Sequence, residues 1–410
     1  MSPAQLEFAP VAATVYAVSI YVFMFIVASY FIRQDTFAKS LTVPSGRYGS
    51  LDGLRGVLAT GVFIHHAFAM YVYFSGGEWQ WSTSPVFNQL GQTTVSLFFM
   101  ITGFLFTLKA LAPTIDWKRL YASRVLRLVP LYALIVSSIF GLVFYLSNWA
   151  LNEPVWEIIK EYWVWMTFVC FGRPDINAYP MSWTLIANVN WSLKYEIMFY
   201  LFAVPAIHVF SRFVQLRAAL VLCAAMLGAI LLFRWQRGGE GGISLYTAQF
   251  LGGVMVAYAF KIDRLKAVIE GNIIRWLAAG ALVSLFFMQY AYSAVAVIGN
   301  IILFAAVVGG ASLFGLLKHK SAVWLGDISY GIYLMHGLVL WLVLNMLAKA
   351  GILSQLGLVG YWLVTFATAA SIVLLASCSY ALLEKPVMGL LPARKQDRVR
   401  GYKQPGLRTW

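Results

Sequence analysis

LDGLRGVLATGVFIHHAFAMYVYF, residues 51–74, joins a charged beginning to a long apolar run. Asp52 and Arg55 stand at its start, and His65 and His66 lie well inside it. A helix of about 20 apolar residues crosses a bilayer, so this stretch predicts a membrane span. Ionisable side chains at membrane depth are costly and usually serve a function. The stretch therefore predicts both a membrane fold and a place to look for chemistry.

The composition of the whole chain agrees with a membrane protein. Of its 410 residues, 61% are hydrophobic and 11% are charged, whereas soluble domains average about 45–50% and about 25%. This balance excludes a water-soluble fold, a disordered chain and a secreted disulfide scaffold. The three cysteines and five histidines show no metal-ligand spacing, so no metal is expected. The sequence predicts an all-α polytopic membrane protein.

Eleven apolar segments are candidates for transmembrane helices. They cover residues 12–32, 54–74, 91–111, 128–148, 191–210, 216–233, 243–260, 273–290, 294–316, 329–348 and 359–383. We divide the chain into an N-terminal helix with a cytoplasmic linker (1–50), the main transmembrane domain (51–390) and a basic cytoplasmic tail (391–410).

The basic residues predict the orientation of these spans. Cytoplasmic loops are enriched in Lys and Arg, and an N-terminus outside with a C-terminus inside places 24 of the 30 basic residues in the cytoplasm. The Trp-rich segment 155–171 carries charges in its first half, so we interpret it as a helix on the outer membrane surface. The net charge of +14 is then explained by topology, and no nucleic-acid partner is expected.

Arg55 and His66 share one face of the predicted second helix. Eleven residues correspond to about 1100° of rotation, only about 20° from the same face, and to a rise of about 16 Å. His66 would then lie near the bilayer centre, where an imidazole can act as a general base. The alternative is a structural histidine between packed helices, and we favour that interpretation for His65.

Arg124 and Arg127 stand three residues apart after the third span, in DWKRLYASRVLRLVPLY, 116–132. That spacing places both on one helical face, and forked guanidinium groups bind phosphates in bidentate fashion. The pair is therefore a candidate site for a phosphorylated cytoplasmic ligand. Basic residues before a span are also what the topology rule alone requires.

Ser192, Glu196 and Tyr200 form a polar stripe in the fifth span, with Trp191 at its start. Glu196 stands in an otherwise apolar run and is a candidate catalytic residue. A structural ion pair is the alternative, and it needs a partner other than Lys194, because residues 194 and 196 point to different faces.

A second polar stripe lies in WLGDISYGIYLMH, 324–336, where Ser329, Tyr333 and His336 recur on one face beside Tyr330. Such a stripe lines a cavity or joins helices by hydrogen bonds. Tyr330, Tyr333, His336, Ser192 and Trp191 are our candidates for substrate binding. Glu384, at the end of the last span, is expected to pair with a basic loop residue.

Together these segments resemble the acyltransferase 3 family of membrane-bound O-acyltransferases. The matches run in order from about residue 50 to 386: LDGLRG with Arg55 and His66, LFFMITGFLF, the pair Arg124 and Arg127, WSLKYEIMFY, LGDISYGIYLMH and SYALLEKP. The resemblance implies a ten-helix core over 51–390 preceded by one extra helix. It also implies that the Arg55–His66 pair is essential and that Arg124 and Arg127 matter for activity. We expect a stand-alone form without an extracellular SGNH domain.

The resemblance implies transfer of an acyl group, most often acetyl, from cytoplasmic acyl-CoA. Its phosphates would bind Arg124 and Arg127, and the acceptor would be a hydroxyl of a cell-surface glycan or a lipid-linked saccharide at the bacterial plasma membrane. Outer loops carry Trp79, Trp81, Trp156, Trp163 and Trp235, which suit sugar stacking or interfacial anchoring. A transporter, and an acyltransferase acting on a cytoplasmic small molecule, are the alternatives.

Overall fold

A computed structural model of the protein describes residues 10–34, 49–76, 78–79, 82, 84–238, 242–288 and 292–391. In these ranges the chain is helical apart from turns, loops and one isolated β-bridge between Ile176 and Tyr179. The prediction of an all-α polytopic membrane protein is confirmed. Trp81, most of the linker before residue 49 and the tail after residue 391 lie outside the described residues.

The α-helices follow one another through the described ranges. They are α1 (Pro10–Phe31), α2 (Gly49–Phe74), α3 (Pro85–Ala110), α4 (Trp117–Leu146), α5 (Val155–Met166), α6 (Trp191–Phe210), α7 (Leu216–Gln236), α8 (Gly242–Phe260), α9 (Asp263–Glu270), α10 (Asn272–Phe286), α11 (Ala294–Val308), α12 (Lys320–Asp327), α13 (Ser329–Lys349) and α14 (Leu358–Ser379). Helix α6 contains a π-helical turn at Phe199–Ala203, and a second π-helical turn, Tyr380–Glu384, continues α14.

Nine helices in the described ranges are long and apolar enough to cross a membrane. The pair α9 and α10, bent by 57°, forms a tenth candidate, and the 15-residue α11 is a shorter apolar helix. These elements coincide with the eleven predicted segments. The largest difference concerns the fourth span, predicted to begin at residue 128. Helix α4 begins at Trp117, where the Asp116 side chain accepts the N–H of Arg119, so the predicted arginine pair lies within its early turns.

Helix α5 has 12 residues and is about 18 Å long, too short to span a bilayer. Trp156 and Trp163 are 64% and 63% exposed, whereas Trp165 is fully buried. The Trp165 indole donates to the Pro174 carbonyl, and the Tyr132 hydroxyl donates to the carbonyl of Trp165. The helix is thus anchored to α4 and to the segment that follows it.

The segment after α5 is held by hydrogen bonds around Asn177. This side chain accepts the N–H of Asn152 and donates to the carbonyl of Ala150, at 2.8 and 2.9 Å. The backbone N–H of Asn177 donates to the Glu161 carboxyl at 3.0 Å. Burial of Glu161 and its hydrogen bond with Glu153 raise the pKa of the Glu161 carboxyl to about 7.

We expect the stability of this segment to fall as pH rises. The pKa of Glu161 is higher in the folded protein than in the unfolded chain, so folding favours its protonated form. Its contribution is complete below about pH 4.5 and is lost as pH rises through about 7. Glu161→Gln should flatten the dependence of the melting temperature on pH across this window. Glu157→Gln, on the exposed side of the same helix, should change it far less, because the charge of Glu157 is the smallest of the causes that raise the pKa of Glu161. An unaltered profile for Glu161→Gln would contradict the assignment.

Helix α2 lies at the centre of the bundle, against α3, α12 and α13. Its approach to α12 is so close that a Cβ atom on Gly326 would collide with the Asp52 carbonyl. Small residues permit such backbone contact between membrane helices. The contact fixes the N-terminal start of α2, where Arg55 stands.

Gly326→Ala should separate α2 from α12 and destabilise the protein by about 1–3 kcal/mol, the usual range for an overpacked site. Gly280→Ala in α10 is the matched control, because no atom lies within 4 Å of its added Cβ. It should be neutral or slightly stabilising, since Ala favours helix. Unfolding of both variants in lipid nanodiscs measures the difference, and equal stabilities would refute the close contact.

Candidate active site

A cavity lies between α2, α3, α4, α6 and α13. Seven of the ten predicted site residues line it: Arg55, Arg124, Arg127, Ser192, Glu196, Tyr330 and Tyr333. The other polar lining groups come from Thr102, Tyr200 and Ser329, and the apolar lining comes from α3, α4 and α6. The polar stripes recognised separately in the sequence therefore face one space.

Three arginines give this cavity its charge. Arg55 interacts electrostatically with Arg124 and Arg127, as well as with the carboxylates of Asp52 and Asp327. Among the lining residues Glu196 carries the only negative charge. Like charges at this depth repel one another, so the lining favours an anionic ligand.

Arg124 holds two buried donors that point to an anionic ligand. Its Nε and Nη2 atoms are buried and have no hydrogen-bond partner among the described residues, and its guanidinium lies 5.3 Å from the Phe106 ring centroid. Buried donors without partners carry a desolvation penalty. An anion bound in the cavity would remove that penalty.

Glu196 is bound by two hydroxyl groups. Thr102 donates to one carboxylate oxygen at 3.3 Å and Tyr200 donates to the other at 2.9 Å. Arg124 also interacts with this carboxylate electrostatically. The sequence required a partner other than Lys194, and Lys194 indeed lies over the Tyr195 ring at 5.0 Å.

The hydroxyl groups of the second stripe join helices as well as lining the cavity. Tyr333 donates to the Val189 carbonyl at 2.9 Å, and its hydroxyl lies 2.6 Å from that of Ser192. Tyr330 donates to the Leu128 carbonyl at 2.7 Å. The two interpretations of this stripe, cavity lining and hydrogen bonding between helices, thus apply to the same side chains.

His66 and His336 meet beside the cavity rather than in its lining. The Nδ1 atom of His66 lies 3.1 Å from both the Val62 carbonyl and Nε2 of His336. His336 Nδ1 lies 3.0 Å from the Ile332 carbonyl. Carbonyls only accept, so each Nδ1 carries its hydrogen, and His336 Nε2 is an acceptor for His66. The Nε2 atom of His66 keeps its lone pair, as a general base requires.

His65 has the structural role expected from the sequence. Its Nδ1 lies 2.8 Å from the Phe87 carbonyl, and its ring packs so closely on Gly91 that a Cβ there would approach it to 2.8 Å. This histidine joins α2 to α3.

Trp191 does not reach the cavity. Its ring packs on Tyr246 at 4.6 Å and on Phe99 at 6.2 Å between centroids. The helix turns Trp191 toward α8, so its predicted role in substrate binding stays a prediction that the cavity does not address.

Two features of the site escaped the sequence analysis. Asp327 is buried and interacts with Arg55, although it stands in the recognised LGDISYGIYLMH segment. Trp183 contacts Trp79, which lies over the His66 imidazole, and no spacing in the sequence indicates that neighbour. Glu384 accepts from Ser379 at 3.2 Å and interacts with Arg127 and Arg55.

A family model for an acyltransferase domain, that of the acyltransferase 3 family, matches residues 48–380. The chain belongs to this family. Membership confirms the resemblance inferred from the ordered motifs, and it establishes the protein as an acyltransferase. With its apolar helices, this acyltransferase is a multi-pass membrane protein.

Several curated proteins are similar to this acyltransferase. Nodulation protein 10 of Rhizobium leguminosarum bv. viciae is 24% identical over 84% of this chain and 95% of its own length. The putative peptidoglycan O-acetyltransferase YrhL of Bacillus subtilis (strain 168) is 25% identical over 82% of this chain and 54% of its own. Acyltransferase MdmB of Streptomyces mycarofaciens is 26% identical over 85% of this chain and 94% of its own length. No solved structure matches the chain significantly.

Proposed function

We propose that the protein transfers an acyl group, in the first instance acetyl, from cytoplasmic acyl-CoA to a hydroxyl of a cell-surface glycan or lipid-linked saccharide. The observation that carries this proposal is the convergence of Arg55, Arg124 and Arg127 on one cavity beside the His66–His336 pair. The bacterial plasma membrane is the proposed location, since transfer from a cytoplasmic donor to an envelope acceptor requires an enzyme that spans it.

The donor half of the proposal rests on the arginines. A coenzyme A molecule carries several phosphates, and guanidinium groups bind phosphates through paired, charge-assisted hydrogen bonds. Arg124 offers two buried nitrogens without partners among the described residues, with Arg127 and Arg55 beside it. Arg124 and Arg127 lie in the first three turns of α4, on the side assigned to the cytoplasm by the distribution of basic residues.

The chemical step uses His66 as general base. Its Nε2 takes the proton of the acceptor hydroxyl while that oxygen attacks the thioester carbonyl carbon. The carbon–sulfur bond then breaks, and coenzyme A leaves as a thiol with the proton returned from His66. His336 accepts the hydrogen on His66 Nδ1 and stabilises the imidazolium formed in between. Arg55 would stabilise the negative charge that develops on the carbonyl oxygen.

Glu196 acts on this step through Arg124. Its carboxylate is fixed by Thr102 and Tyr200 and lies in the field of the guanidinium. It would therefore orient Arg124 and limit the net charge of the cavity when no donor is bound. Ser192, Tyr330 and Tyr333 would form the wall along which the acyl chain approaches His66.

The acceptor half of the proposal draws on the relatives and on topology. One relative is described as a putative peptidoglycan O-acetyltransferase, which has a glycan acceptor. The His66 side chain follows Arg55 by eleven residues along α2, which places it about 16 Å deeper in the membrane. A donor entering at Arg55 and an acceptor entering from the opposite side would meet there.

His66→Ala should lower acyl transfer by at least about 100-fold, the lower range for loss of a general base. His319→Ala is the matched control, because His319 caps α12 through Ser321 and lies outside the cavity lining. Release of coenzyme A from labelled acetyl-CoA in nanodiscs, with bacterial envelope glycans added, measures the reaction. Full activity of His66→Ala would refute the general-base assignment.

Arg124→Gln should weaken coenzyme A binding about 10- to 100-fold, which corresponds to one lost charge-assisted contact of about 1.5–3 kcal/mol. Lys118→Gln removes the same charge from an exposed position one turn and a half earlier in α4, and it should change binding little. Calorimetry on the purified protein gives both affinities. Equal losses of coenzyme A affinity in the two variants would contradict a direct contact, because they would show that Arg124 acts only through long-range charge.

A further inference from the structure

Two tryptophans lie next to one another beside His66, Trp79 in the stretch after α2 and Trp183 in the 3-10 helix Ser182–Ile186. Trp79, just after α2, lies over the imidazole with the ring planes 27° apart and the centroids at 6.3 Å. Trp183 meets Trp79 edge-on, with centroids at 5.5 Å and planes at 89°. Tyr73 adds a third ring, 5.9 Å from that of Trp79. These rings form a continuous aromatic surface that ends at the proposed base.

Arg173 extends this surface with a positive charge. Its guanidinium carbon lies 4.6 Å from the Trp183 ring centroid, and its Nη1 donates to the Asn188 side chain. The side chain is exposed, so its remaining donors are accessible from outside. An Arg placed over an indole combines a surface for stacking with hydrogen-bond donors.

The position of Trp183 is fixed by the backbone around it. Ser182 donates its N–H to the Asp175 carboxylate and accepts the N–H of Ile176, at 3.0 and 2.8 Å. The end of this turn packs on α13, where a Cβ on Gly337 would collide with the backbone of Ile186. This contact fixes the position of the turn that carries Trp183 relative to His336, the residue before Gly337.

These indoles differ from the tryptophans of an interfacial belt. Belt residues face lipid and headgroups, as expected for Trp156, Trp163 and Trp235, which are 64%, 63% and 77% exposed. Trp79 and Trp183 are half-buried and contact each other, and Trp79 also lies over the imidazole. Anchoring therefore explains the exposed tryptophans and leaves the inward-facing pair unexplained.

We propose that Trp79, Trp183 and Arg173 form the subsite that binds a saccharide acceptor and presents one of its hydroxyls to His66. A pyranose ring has an apolar face of C–H groups, which packs on an indole, and an equatorial rim of hydroxyls, which accepts hydrogen bonds. The surface offers both, with the aromatic face next to the base and the donors of Arg173 at its outer end. This inference rests on the proposed function and names the residues that bind its acceptor.

The test separates acceptor binding from donor binding in the full-length protein. Soluble peptidoglycan strands and purified lipid-linked saccharides serve as acceptor probes, and coenzyme A binding is measured on the same preparations. Trp79→Leu and Trp183→Leu should each raise the KM for the saccharide about three- to tenfold, the effect of one aromatic contact. Coenzyme A affinity should stay unchanged, and Trp79→Phe and Trp183→Phe should restore part of the loss.

Trp163→Leu is the control, since Trp163 is an exposed tryptophan on the outer helix α5. Arg173→Gln should raise the KM for the saccharide. It should not lower the rate at which coenzyme A is released when no saccharide is present and water hydrolyses the thioester. Saccharide KM values that do not respond to either tryptophan would overturn the subsite. Binding of coenzyme A without binding or acylation of either saccharide probe would overturn the acceptor class. Failure of the wild-type protein to bind coenzyme A would instead refute the proposed function itself.

Discussion

Mutual repulsion of Arg55, Arg124 and Arg127 is the constraint on which the rest of this membrane protein depends. Charges in an apolar bundle require counter-charges or a bound anion, and carboxylates surround these three: Asp52 and Asp327 near Arg55, Glu196 near Arg124, Glu384 near Arg127. Helices α2, α4, α6, α12 and the end of α14 all contribute to this balance. Their arrangement therefore follows from electrostatics as much as from the packing of apolar faces.

The bundle separates a charged side from an aromatic side, with two imidazoles between them. The cavity holds the guanidinium groups, whereas Trp79 and Trp183 lie beyond His66. Tyr333 connects the two sides, because it lines the cavity and its ring lies 6.1 Å from that of His336. The proposed reaction would use this division, since the phosphates of a coenzyme A donor and the ring of a saccharide acceptor require different environments.

The sequence predicted this fold well because a bilayer requires long apolar helices, and hydropathy records them directly. Helical periodicity also identified the stripes on α4, α6 and α13, whose members do share faces. Periodicity says nothing about which helix a face meets, so it did not show that Trp191 packs on Tyr246 of α8 rather than lining the cavity. The contact of Trp183 with Trp79 joins positions 104 residues apart, and only the assembled fold brings them together. The start of α4 was missed because Asp116, a helix cap, precedes a charged rather than an apolar turn.

The backbone contact between Gly337 and Ile186 links the segment between α5 and α6 to α13, the helix that carries His336. A displacement of this segment would therefore shift His336 and change its hydrogen bond with His66. Ligands that favour one position of a shared element are thermodynamically coupled, and the coupling is reciprocal. Occupancy of the aromatic surface at Trp79 and Trp183 would therefore change affinity at the arginine-lined cavity by the same factor as the reverse. A membrane enzyme with this linkage would protect its activated donor from water until the other substrate arrives.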